Sequence, residues 1–307
     1  MFIPVSLFIL GLILLVKGGD LFVDGATGVA RRFRISELLI GATVVSIGTT
    51  LPEVIFSATS AIGGHGEFAY GNALGSIICN TALVAALTLL FRPSKIDRSS
   101  LLLPVIFFFS AAILYTVCAF TFGRFDRIIG IVFLIIFVLY VASLIWGARG
   151  SREVVLSSGG SVTRSIFYLI IGGCLIAIGA RLLVDNGTVI AEALGVPEAV
   201  IALTFVALGT SLPELVTSIT SIVKGHGSLA LGNVIGANVL NLTLVCGVAA
   251  ALSPFTLPAS VIFDIPVMLS VMLVLTVPPL IMGKLSRLQG IILIFIYSAF
   301  CFWQFAI

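Results

Sequence analysis

The chain has 307 residues, of which 60% are hydrophobic and only 9% charged, with a formal net charge of +3. A soluble globular chain carries roughly 25% charged residues, so this one cannot cover a water-facing surface. Its composition excludes a soluble enzyme, a disordered regulator and a secreted disulfide scaffold, and describes an all-α polytopic membrane protein with no sizeable soluble domain.

A membrane-crossing helix takes about 20 apolar residues. The breaks in the apolar pattern predict ten spans, at 3–30, 37–62, 68–91, 100–121, 127–147, 165–192, 198–223, 229–252, 261–282 and 289–306. The first run, Phe2–Val16, has no basic residue before it and no small-residue cleavage site after it, so it is expected to be the start of a retained helix. Spans 1 and 6 are long and glycine-rich. Lys17 with Asp20, and Arg181 with Asp185, stand at local ion-pair spacings within them. The stretch between spans 5 and 6, Ala148–Arg164, is too short for a folded regulatory domain. Cys79, Cys118, Cys174, Cys246 and Cys301 lie scattered in apolar runs and are expected to be packing residues.

Basic residues set the orientation. Twelve of them fall between spans 1 and 2, 3 and 4, 5 and 6, 7 and 8, and 9 and 10, whereas only Arg124 and Arg127 fall on the opposite face. The positive-inside rule then places the twelve in the cytoplasm and both termini outside.

An internal repeat is visible at an offset of 161 residues. Ile40–Val84 and Ile201–Val245 share 21 identities in 45 ungapped positions, including Gly, Thr, Pro, Glu, His and Asn, and the register extends to Gly11/Gly172, Gly18/Gly179 and Asp24/Asp185. Each copy holds five predicted spans, and an odd number inverts the second copy in the membrane. The expected organisation is therefore a first five-helix repeat at 1–147, a short cytoplasmic linker at 148–164 and an inverted second repeat at 165–307. Inverted repeats with helices interrupted by Gly and Pro mark secondary transporters, with the site near the midplane.

Span 2 carries Thr43, Ser46, Thr49, Thr50, Glu53, Ser57 and Ser60 at spacings that share a helix face, and span 7 repeats this with Thr204, Ser211, Glu214, Ser218 and Ser221. Span 3 has Asn72, Ser76 and Asn80; span 8 has Asn233, Ala237 and Asn241 in the same places. Glu53 and Glu214 lie deep in their spans, where an ionised carboxylate costs about 2.5–3.5 kcal/mol on insertion scales. No Lys or Arg occurs from Glu37 to Phe91, and only Lys224 from Glu198 to Leu252, so a metal cation or a proton is expected as counter-charge. The available ligands are hard oxygens, which select Ca²⁺, Na⁺ or Mg²⁺. Pro52 and Pro213 are expected to open their helices and free the carbonyls of Gly48 and Gly209. Asn72 and Asn233 are expected to cap the helices that begin near them, and His65 and His226 to lie solvated in short loops. No GxSG, GxGD or HExxH motif points to an intramembrane enzyme, and a charged midplane site within an inverted repeat fits a carrier better than a channel.

The paired GTxLPE and GNxxGxxxxN motifs resemble those of the cation/Ca²⁺ antiporter superfamily, in particular its prokaryotic sodium/calcium exchangers. The resemblance covers nearly the whole chain. It implies Ca²⁺/Na⁺ antiport by alternating access, ions held among spans 2, 3, 7 and 8, and spans 1 and 6 sliding across that core. H⁺- or K⁺-linked Ca²⁺ exchange is the alternative. Matched residue by residue, Glu53 and Glu214 are implied as central ligands, Thr49 and Thr210 as flanking ones, with Thr50, Ser211, Ser76 and Asn80 beside them and Ser46 and Ala207 lending carbonyls. Asn241 stands where the family pattern has Asp, and Ala237 where it has Ser. The first departure leaves a site of charge −2, which balances one Ca²⁺ or two Na⁺. Apart from these ions and the bilayer, no cofactor, nucleic acid or obligate protein partner is implied.

Overall fold

A computed structural model describes residues 2–91, 93, 98–150, 161–195 and 207–306. In chain order the helices are α1 (Phe2–Phe33), α2 (Glu37–Ile62), α3 (Gly66–Cys79, continuing to Phe91), α4 (Arg98–Phe122), α5 (Arg127–Gly150), α6 (Val162–Ala193), α7 (Leu212–Val223, preceded by one turn at Ala207–Thr210), α8 (Gly227–Leu252), α9 (Val261–Met282) and α10 (Arg287–Ala306). Eight of them are long and apolar enough to cross a membrane; α7 and α10 are the shorter apolar helices. The predicted beginning of span 7, including Thr204, and the middle of the 148–164 linker lie outside the described residues.

Burial separates core from periphery. The most apolar window is 83% buried in α8 and 72% in α3, against 22% in α1, α5 and α6. The helices with polar stripes are therefore the centre of the molecule, and the helices without them present apolar flanks to the surroundings. This is the order a bilayer imposes, because a polar stripe turned to hydrocarbon would leave side chains unsatisfied.

Helices α1 and α6 run antiparallel along each other at backbone contact. A Cβ on Gly18 would sit 2.8 Å from Ile176 N and 2.9 Å from Gly172 O, and one on Gly179 would sit 2.8 Å from Gly11 O. Only glycine allows that approach, the close packing that small residues give to membrane helices.

The two ends of the bundle assort cleanly. At one end the strand Arg124–Phe125 (β1) pairs antiparallel with Phe255–Thr256 (β2), and the α2–α3 loop shares a cavity with Ser253–Thr256. Phe125 packs edge-on against Tyr115, Phe133 and Phe255 there. At the other end Arg98 lies against Gly283, and the α7–α8 loop meets α1 and the start of α2.

Three local features differ from the sequence expectations. Pro52 lies inside a continuous helix, Ser46–Ile62, while only the second copy breaks, at Ser211 (φ −90°, ψ 3°), with Pro213 in the first turn of α7. Asp20 reaches Lys224 (3.5 Å) across the helix interface instead of pairing with Lys17 on its own helix; Arg181 does pair with Asp185, at 3.5 Å. The core helices also contain π-helical segments, at Gly41–Val45, Asn80–Ala85 and Asn241–Val245, which hydrophobic periodicity does not reveal.

Candidate ion-binding site

Helix α2 starts from Ser36, whose side chain accepts the Leu39 N–H at 3.3 Å. After the π-helical segment it turns Ser46, Thr49, Thr50, Glu53 and Ser57 into the interior, and all five are buried. Helix α7 does the same with Glu214, Thr217, Ser218 and Ser221. Ser76 and Asn80 on α3, and Asn233, Ala237 and Asn241 on α8, are buried as well. Both π-helical segments of the α3 and α8 pair begin on the asparagine, Asn80 in one and Asn241 in the other. An i→i+5 bulge is a local distortion frequently found at functional sites, and here it occurs at the same place in each copy.

Hydrogen bonds tie the four helices together around the glutamates. Thr50, one turn before Glu53 on α2, donates to Glu214 Oε1 at 3.3 Å, which brings the two carboxylates into one site. Thr49 donates to Asn233 Oδ1 at 3.2 Å, and Ser211 donates to Ser76 Oγ at 3.3 Å. Asn72 donates to Ser57 Oγ at 2.9 Å and to the Glu53 carbonyl at 3.4 Å; its counterpart Asn233 donates to Ser218 Oγ at 3.5 Å. The two asparagines therefore bridge helices and do not cap them, since both lie within the helix body.

Of the residues singled out from the sequence, Glu53, Glu214, Thr49, Thr50, Ser211, Ser46, Ser76, Asn80 and Asn241 are all buried on the four core helices. Thr210 is half-buried on the turn before Ser211, and Ala207 begins that turn. The Ser46 carbonyl accepts the Thr49 hydroxyl at 3.3 Å. Asn72, Asn233, Ser57 and Ser218 belong to the same network. Their signal in the sequence was the repeat itself, which places each at an offset of 161 residues from its mate.

The donor set suits a hard cation. Both Glu53 oxygens, Glu214 Oε2, and both amide atoms of Asn80 and Asn241 are buried without a hydrogen-bond partner. Burying an ionised carboxylate in a low-dielectric interior is prohibitive unless it is paired, bound to a metal or neutralised. Lys224, the basic residue on the α7–α8 hairpin, sits at the helix end with Asp20 and Asp24. Among the described residues no group of three or more His, Cys, Asp or Glu forms a transition-metal cluster. Two carboxylates surrounded by hydroxyl and amide oxygens match the oxygen ligands that Ca²⁺ takes.

A helical membrane protein whose buried core gathers two carboxylates and a shell of neutral oxygens has the donor set that an ion carrier needs. Residues 3–146 and 164–306 match the family described as sodium/calcium exchanger protein, and the chain belongs to that family. It is 38% identical over 302 residues to an uncharacterized membrane protein of Methanocaldococcus jannaschii, covering 95% of each chain. It is 31% identical over 336 residues to the sodium/calcium exchanger MaX1 of Methanosarcina acetivorans, covering 96% of each. Among solved structures it superposes on the sodium-calcium exchanger NCX_Mj, soaked with Na⁺ and Sr²⁺, with a TM-score of 0.84 at 34% identity over 97% of both chains.

Proposed function

We propose that this chain exchanges Ca²⁺ for Na⁺ across the membrane by alternating access. Glu53 and Glu214 are the central ligands, and Thr49, Thr210, Thr50, Ser211, Ser46, Ala207, Ser76, Asn80 and Asn241 complete the ion sites. The observation that carries this reading is the pair of buried glutamates joined through Thr50, with their remaining oxygens unpartnered. With two carboxylates the site balances one Ca²⁺ or two Na⁺, so competition between the two ions follows from charge alone.

The proposed architecture is ten spans in two inverted five-helix repeats, 1–147 and 165–307, joined by the linker 148–164. Two features support it. The α1–α6 contacts are reciprocal under the 161-residue offset: Gly11 meets Gly179, and Gly18 meets Gly172. The loops also assort as alternating spans require, α2–α3 with α4–α5 and α8–α9 at one end, α1–α2 with α7–α8 at the other. The basic-residue count assigns the second end to the cytoplasm and both termini to the outside. A single Cys at Ser158, in a background lacking native Cys, should resist impermeant thiol reagents in intact cells and react in inverted vesicles; the reverse pattern overturns the orientation.

The test of function is ⁴⁵Ca²⁺ uptake into proteoliposomes under imposed Na⁺, K⁺ and pH gradients in turn. Uptake driven by an outward Na⁺ gradient alone is the expected result. Uptake that ignores Na⁺ but follows K⁺ or H⁺ replaces it with the corresponding linked exchange, which Asn241 in place of a third carboxylate keeps as the second reading.

A further inference from the structure

A groove of about 1000 Å³ opens between the α1–α2 turn and the last turns of α5. Ile35, Leu39 and Ile47 form one wall, and Val141, Leu144 and Ile145 form the other. Arg32 and Arg34 also line it, and both are exposed. Among the described residues, neither they nor Arg31 has a carboxylate within ion-pair distance; Glu37 is held by His226, and Asp20 and Asp24 by Lys224.

The backbone at Arg34 adds an independent observation. Its φ is +55°, and it is the one described non-glycine residue with positive φ. It closes α1 in the left-handed cap position, with its N–H on the Arg31 carbonyl at 3.3 Å and the Ile35 N–H on the Ala30 carbonyl at 3.0 Å. Glycine fills that position without steric penalty. The second copy has the glycine: Gly195, at the 161-residue offset, closes α6 with φ +77°. The counterparts of Arg31 and Arg32 are Glu192 and Ala193. One copy therefore carries three cations and a strained backbone where the other carries neither.

We propose that this groove is a binding site for an anionic phospholipid of the adjacent leaflet, with an acyl chain between the apolar walls and the phosphodiester held by Arg32 and Arg34. Guanidinium forks match phosphate oxygens in a bidentate way, and basic pockets between membrane helices on the cytoplasmic side are suited to anionic headgroups. The site joins the end of α1 to α2 and α5, so an occupied groove would restrain α1 relative to the core. The proposal rests on the reading that the chain spans the bilayer with this end at the membrane surface, but not on which ions it exchanges.

The test uses the purified full-length chain in neutral detergent, titrated with phosphatidylglycerol, phosphatidylcholine or inorganic phosphate. Native mass spectrometry reads lipid retention, and the unfolding midpoint is followed in parallel. Phosphatidylglycerol should be retained in preference to phosphatidylcholine and should raise the midpoint, while inorganic phosphate does neither. The double variant R32Q/R34Q should lose affinity for phosphatidylglycerol by about tenfold or more, as expected for the loss of charge-assisted bonds. Ile145→Trp, which fills the groove from an exposed position without altering charge, should also reduce retention. Arg34→Gly separates a lipid role from a structural one: without lipid it should raise the midpoint by relieving the cap, yet it should weaken retention. Equal retention of the two lipids, or unchanged retention in R32Q/R34Q or Ile145→Trp, overturns the proposal. Neither readout involves Ca²⁺ or Na⁺, so a failed exchange assay leaves this result interpretable.

Discussion

The α2–α3 loop and the α7–α8 loop share a backbone and differ in what their side chains do. Gly64 and Gly225 hold the same left-handed conformation (φ +85° and +93°). The His65 N–H meets the Ser60 carbonyl at 2.8 Å, and the His226 N–H meets the Ser221 carbonyl at 2.7 Å. In the first loop Gly63 offers no side chain and His65 stacks on Phe68 of its own segment. In the second, Lys224 reaches Asp24 and the Asp20 carbonyl on α1, each at 2.8 Å, and His226 Nδ1 lies 2.7 Å from Glu37 Oε1 at the start of α2. The repeated backbone builds two equivalent hairpins, and the Gly63/Lys224 difference ties the second loop to α1 where the first has no side chain at that position.

The largest expected effect strikes what the halves share. Glu53→Gln and Glu214→Gln each remove a charge from the buried pair while keeping its volume. On the proposed reading each carboxylate faces a bound cation, and removing one partner of a buried opposite-charge pair costs about 3–5 kcal/mol, so each should cut Ca²⁺ exchange by at least about a hundredfold. Size-exclusion profiles should remain those of folded protein. Near-normal ⁴⁵Ca²⁺ uptake by either variant would remove it from the site.

A middle-sized effect is expected from the bridging asparagines. Asn72→Ala and Asn233→Ala each delete hydrogen bonds that hold α2 to its neighbours beside a glutamate, worth about 1–2 kcal/mol where buried groups lose partners. Apparent Ca²⁺ affinity should fall by about tenfold in each. A fall confined to one would mean that the halves contribute unequally to the same site.

Smaller still is the effect of unclamping. The Lys224–Asp24 pair is partly exposed, with side-chain exposures of 24% and 52%, and such pairs are worth up to about 1 kcal/mol. Lys224→Met should shift the balance between faces by no more than about fivefold. Hydrogen exchange is the sensitive readout: protection should drop in the last turns of α1, around Asp20–Ala30, in Lys224→Met. Gly63→Ala, at the equivalent loop position, adds a Cβ with only ordinary contacts and should leave protection unchanged. Equal responses would show that Lys224 does not tie its loop to α1.

The distribution of these effects reflects what was legible in the sequence. The polar stripes and the two glutamates follow from periodicity and from the cost of mid-membrane charge, and their burial in the four-helix core matches that reasoning. Pattern reading failed where a partner lies far along the chain. Lys224 has no carboxylate three or four residues away, so its partners on α1 emerge only from packing. The capping role expected of Asn72 and Asn233 is a local explanation, displaced by bonds to the helix that precedes each of them. The π-helical segments of α3 and α8 were hidden because both helices are buried on most sides, so they carry no narrow apolar stripe that an inserted residue would displace. Pro52 and Pro213 occupy equivalent positions, yet only the second accompanies a break, so the proline alone does not decide the helix geometry.

The finest expected effect concerns Ala237, buried opposite the position where α3 carries Ser76. In one half Ser211 donates to Ser76; in the other, the counterpart of Ser211 is Thr50, which has no hydroxyl on Ala237 to meet and donates to Glu214 Oε1 instead. Ala237→Ser offers Thr50 the missing partner. It should release Glu214 Oε1 for cation binding and add one hard oxygen beside it. A neutral hydrogen bond is worth about 1 kcal/mol, so the Na⁺ concentration that half-inhibits ⁴⁵Ca²⁺ uptake should move by about threefold to fivefold. The effect must run through Thr50, which a double-mutant cycle can establish. In a Thr50→Val background, Ala237→Ser should lose most of its influence on the Na⁺ dependence. Additive effects of the two substitutions would show that the serine acts on its own, and that the hydrogen bond from Thr50 to Glu214 is not set by the missing hydroxyl on α8.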